Sequence, residues 1–177
     1  MRYLAIYRAG LALMAATATV SAQAAEPPAD CLSEAEISAL TVYVMPQLIS
    51  ATQANCKAYV AQDGFLATES AAMVQRYAAK ADAAWPLAKS AFVKFAGDSK
   101  SKETQEFSKL SDDALRPLFD GIIKQKATEA IHPKSCHDIE RLAKVLSAID
   151  PDTTGALFSV IASLAIGDKE KSKVCQA

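Results

Sequence analysis

The sequence predicts an all-α fold: a single-domain helical bundle of about five helices, closed by two disulfides. Three observations carry that reading. Apolar residues recur at spacings of three and four in five separate stretches, and no stretch alternates with the period of two that a half-buried strand requires. The composition is rich in alanine, poor in β-branched runs and contains only 6 glycines, which favours helix over sheet. Cys31, Cys56, Cys136 and Cys175 form no C-x-x-C pair, and an even number of cysteines in a chain with an export signal reads as a disulfide framework.

That signal opens the chain. Arg2 and Arg8 precede an apolar run from Ala9 to Val20, and Ala22 and Ala24 then stand at the small-x-small spacing that a signal peptidase recognises. The expected layout is a signal peptide over 1–24, a linker over 25–32 and a helical domain over 33–177. The run is about a dozen residues, short of the ~20 that span a bilayer, and no cysteine stands at the cleavage point to take a lipid. The expected location is the periplasm or the extracellular space, with no membrane span after cleavage. The chain has 19 basic and 20 acidic residues, interspersed, and the signal removes two of the basic ones. No basic face remains for a nucleic acid.

The first helix starts at a capping box, Ser33-Glu34-Ala35-Glu36. Ile37, Leu40, Val44, Leu48, Thr52, Cys56 and Tyr59 keep one helical phase across Pro46, which predicts one kinked helix from about 34 to 61. Asp63-Gly64 is expected to end it, the glycine in a left-handed conformation. The second long helix begins near 68–70 and runs to Gly97 with a kink at Pro86, its face carrying Met73, Tyr77, Ala81, Ala84, Ala88, Ala91, Phe92 and Phe95. Residues 98–113 read as a charged surface loop holding a short helix, pinned by Phe107 and Leu110.

Ser111-Asp112-Asp113 opens a third helix with Leu115, Leu118, Phe119, Ile122 and Ile123 on one face, stopped at His132-Pro133. Ser135 to Asp138 resembles a second capping box and starts a fourth helix bearing Ile139, Leu142, Leu146 and Ile149. Pro151 to Gly155 reads as a turn. The last helix, Ala156 to Ile166, is apolar nearly all round, which predicts a central helix buried on most sides, with Ile161 in the core.

Helix geometry limits the disulfide partners. Within one helix Cys31 and Cys56 stand roughly 35 Å apart at 1.5 Å per residue, far beyond the ~6 Å between Cα atoms that a bridge allows, unless Pro46 breaks the helix fully; an up-and-down arrangement brings Cys56 near Cys136 and lets the tail carry Cys175 back to Cys31. The favoured pairs are Cys56 with Cys136 and Cys31 with Cys175, the alternative being Cys136 with Cys175 and Cys31 with Cys56.

Candidate chemistry is sparse. His132, Cys136, His137 and Asp138 gather metal-ligand residue types, but the two histidines straddle a proline and share no helical face, and a bonded Cys136 is no nucleophile. No metal, cofactor or catalytic residue is expected. Arg116 with Asp120 and Arg141 with Asp138 are spaced for surface ion pairs. Tyr43, Tyr59, Tyr77 and Trp85 read as packing residues, and the Trp85 indole is placed to meet the carbonyl freed by the Pro86 bend. The expectation is an exported, non-catalytic binding or envelope-supporting module with a protein or small-molecule partner. The alternatives are a carrier holding a small apolar ligand near the Pro46 and Pro86 bends, and an enzyme using His132 or His137.

Overall fold

A computed structural model describes residues 31–96, 106, 109–165, 174 and 175. The segment read as a signal peptide, most of the segment read as a charged loop and most of the tail lie outside them. Six helices form among the described residues: α1 (Glu34–Cys56), α2 (Phe65–Thr68), α3 (Ser70–Ala96), α4 (Asp112–Ala130), α5 (Cys136–Leu146) and α6 (Pro151–Ala165). Their only extended pairing is a single bridge between Leu32 and Val174. No helix among them is long and apolar enough to cross a membrane.

The Ser33 capping box forms as its sequence requires: the Glu36 amide donates to Ser33 Oγ (3.2 Å) and the Ser33 amide to Glu36 Oε2 (2.8 Å). Glu36 is buried, and its carboxylate also takes Ser90 Oγ and Lys94 Nζ from α3. Burial alone would raise its pKa; the bonds from Lys94, Ser90 and Ser33 outweigh that and hold it below the ordinary carboxylate value. Lys94 Nζ further donates to the Cys31 carbonyl (2.9 Å), so one cluster fastens α3 to the start of α1. Beside it Cys31 bonds to Cys175 with Cα atoms 5.0 Å apart. Cys56 bonds to Cys136, 5.4 Å apart, tying the end of α1 to the start of α5. These are the favoured pairs.

α1 is the central element. It packs against α3, α6 and α4, and its buried residues, among them Ile37, Val42, Tyr43, Met45, Ile49, Ala51 and Cys56, point in several directions around the axis. The expected stripe of Leu40, Val44 and Leu48 is only half-buried, and Tyr59 is exposed. α1 continues through Pro46 and α3 through Pro86, but α1 ends at Cys56 rather than near 61. Gly64 is not its left-handed terminus. It lies extended at φ −71° and precedes α2, a turn that periodicity does not reveal. A Cβ there would displace the end of the Glu140 side chain, whose carboxylate accepts from the Leu66 amide (3.2 Å).

The entry to α5 is a 3₁₀ turn, Pro133–Ser135, and not a capping box. Ser135 sits at φ −93°, ψ −6° with no side-chain cap, already wound too tightly for the extended geometry that a capping hydroxyl needs. Likewise 151–155 is no turn but the first part of α6. Asp150 Oδ1 caps it by accepting from the Thr153 amide (2.9 Å), and Pro151 holds the first helical position, where its missing N–H costs nothing.

The largest correction concerns α6. It is peripheral, and Leu157, Val160, Ile161 and Leu164 are exposed, Leu164 by 78%. Its buried side is Pro151, Thr154, Gly155 and Ser159. A Cβ on Gly155 would stand 2.8 Å from the Ser38 carbonyl oxygen and 3.1 Å from Val42, so α6 meets α1 through its smallest residues at nearly backbone contact. The Thr154 and Ser159 hydroxyls donate to the Asp150 and Ala156 carbonyls of their own helix (3.0 and 2.8 Å), and their burial strands no donor.

Candidate functional site

Small residues also border an apolar cleft between α1, α4, α5 and α6. Its floor is α1, through Thr41, Val44, Met45, Leu48, Ile49 and Thr52. Its walls are Ala127, Ala130 and Ile131 at the end of α4, Ile139, Leu142, Ala143 and Leu146 of α5, and Phe158 of α6; Leu66 and Met73 close the bottom. The volume is about 350 Å³. The walls do not meet, because the residues that face across the gap include Ala127, Ala130 and Ala143, while ties elsewhere hold the backbones in place. Gln47 Nε2 donates to Asp120 Oδ1 (2.9 Å) and Asn55 Nδ2 to the Thr128 carbonyl (3.0 Å), fixing α4 to α1. The Cys56–Cys136 disulfide fixes α5.

The cleft carries almost no polarity. Its two hydroxyl groups are turned back on their own helix, Thr41 Oγ1 donating to Ile37 O (2.9 Å) and Thr52 Oγ1 to Leu48 O (2.8 Å). Among the described residues no charged side chain lines it. Such a surface offers chiefly dispersion and desolvation to an apolar group. Its volume is roughly twice the ~150 Å³ that takes a benzene in an engineered protein cavity.

The two proline bends have different surroundings. Residues around Pro46 line the cleft, whereas the flank of Pro86 is filled. There Tyr43, Trp85, Phe92 and Phe119 pack as one cluster, with Tyr43 stacked on Phe119 (5.5 Å between centroids) and Phe92 tilted against the same ring (4.2 Å). Arg116 lies over the Trp85 ring at 4.8 Å and pairs with Asp82 of α3, not with Asp120, which accepts from Gln47 instead. Burial, with Asp120 nearby, raises the Tyr43 pKa. Trp85 is buried next to Pro86 as expected, but its Nε1 makes no well-formed hydrogen bond to a freed carbonyl; the indole instead assists Lys89 in lowering the Asp112 pKa.

His132 and His137 are both exposed, on either side of the 3₁₀ turn, and the Cys136 between them is buried in its disulfide. Among the described residues no group of three or more His, Cys, Asp and Glu could hold a metal. Among the described residues the three arginines have separate partners: Arg76 the Ser147 carbonyl, Arg116 Asp82, and Arg141 Asp138 at 3.8 Å. Tyr43 and Tyr77 are core residues, and Tyr59 is on the surface. No family model, no curated protein and no solved structure matches this chain.

Proposed function

We propose that the protein is an exported, non-catalytic binding module that carries a small apolar ligand in the cleft on α1. The cleft carries the reading: about 350 Å³, within the range of small-molecule sites, with an unbroken apolar lining and its hydroxyls internally satisfied. Export is supported by the signal-like segment 1–24 and by two disulfides, which persist in oxidising compartments. Native mass spectrometry of the protein purified from its own host tests the assignment. An added mass that organic extraction removes is the expected result; a bare chain that also takes up no apolar probe contradicts it. N-terminal sequencing of the exported form is expected to begin at Ala25, and a mature chain retaining Arg2 and Arg8 contradicts the export route.

The outward stripe of α6 favours a second reading, a module that binds a protein partner. Leu157, Val160, Ile161 and Leu164 follow the i, i+3, i+4, i+7 pattern of a helix face that is normally covered. Under that reading Ile161→Glu abolishes capture of the partner from an envelope extract while the cleft still binds an apolar probe.

A further inference from the structure

A second cavity adjoins the cleft. It has a volume of about 470 Å³ and lies at the C-terminal end of α1, lined by Ser50, Gln53, Lys57, Gln62 and Leu66 among others. Its lining is mixed where the cleft's is apolar: Ala54, Val60, Ala61, Leu66 and Ala67 stand beside a hydroxyl, two carboxamides and an ammonium, and among the described residues no acidic side chain lines it. Lys57 is exposed and forms no ion pair among the described residues.

Leu66 lines both cavities and is itself buried. It sits on α2, a helix of 4 residues whose Leu66 amide is held by Glu140, so the cleft and the mixed cavity share this side chain as a wall. At ~30 Å³ per small heavy-atom group, the volume of a liquid water, the cleft has room for roughly a dozen carbons.

Resting on the carrier reading above, we infer that the ligand is a single-chain amphiphile with an anionic head. Its tail occupies the cleft and its head lies against Lys57, past Leu66. The apolar compartment supplies most of the attraction and is indifferent to the head. Discrimination between heads comes from Lys57, with Gln53 and Gln62 as further donors.

Displacement of a neutral naphthalene-type fluorophore from the full mature protein tests this with three probes of one tail length: laurate, methyl laurate and dodecyltrimethylammonium, each below its micelle concentration. Laurate is expected to displace best, by roughly threefold over the ester, the scale of an exposed charge pair. Lys57→Glu, on an exposed side chain that leaves the fold intact, is expected to reverse the order so that the ammonium probe leads. Equal displacement by all three, or the same order in both proteins, overturns the inference while leaving the carrier reading standing. Failure of the fluorophore to bind at all overturns both.

Discussion

α1 and α6 are both apolar around much of their circumference, yet the bundle treats them in opposite ways. α1 is surrounded, with α3, α6 and α4 packed on it and both disulfides anchored at or beside its ends. α6 lies on the outside and turns Leu157, Val160, Ile161 and Leu164 to solvent. What separates them is the size of the residues on the contacting face. Gly155, Thr154 and Ser159 let α6 approach Ser38 and Val42 to near backbone contact, and a face with larger side chains would stand off. Mean apolarity therefore does not decide which helix is central; the geometry of closest approach does.

The covalent anchor of α1 gives the largest expected effect. Replacing Cys56 and Cys136 together by alanine removes a link of sequence separation 80 and should lower stability by about 4 kcal/mol in denaturant unfolding. A loss below about 1 kcal/mol would show that α1 and α5 do not depend on it. Next, Ile49→Ala on α1 should cost about 3 kcal/mol, the usual penalty for emptying a buried aliphatic site.

Gly155→Ala probes the contact itself. Helix propensity favours alanine by about 1 kcal/mol, whereas forcing a methyl group against the Ser38 carbonyl costs about 1 to 3 kcal/mol. The strain wins, and a net loss of about 1 kcal/mol is expected. A gain in stability would mean that α6 does not approach α1 so closely. Ile161→Ala, on the outward face, should change stability by less than about 0.5 kcal/mol. A loss equal to that of Ile49→Ala would put α6 back in the core and undo the comparison.

Local rules were legible in the sequence. The Ser33 capping box, the long helices through Pro46 and Pro86, and the exclusion of a Cys31–Cys56 bridge all follow from chemistry within one element, since a hydroxyl, a phase and a rise per residue suffice. The orientation of α6 was not. A helix apolar nearly all round read as central and buried on most sides, whereas only its small-residue face is buried and its large apolar face is exposed. Asp150-Pro151 did carry a usable signal for the earlier helix start, an N-cap residue followed by proline at the first helical position. The cleft was invisible for a different reason. It is made by what Ala127, Ala130 and Ala143 lack, on segments that meet Leu48 and Ile49 only through the tertiary fold.

The most direct test of the account sets the cleft on α1 against the stripe on α6 in a single assay. A neutral apolar fluorophore is titrated into the wild type, into Ala130→Trp, which fills the cleft from an exposed position on its rim, and into Leu164→Ser, which removes the most exposed residue of the stripe. The account predicts binding to the wild type and to Leu164→Ser and its loss in Ala130→Trp. Binding that survives Ala130→Trp and disappears in Leu164→Ser would contradict it.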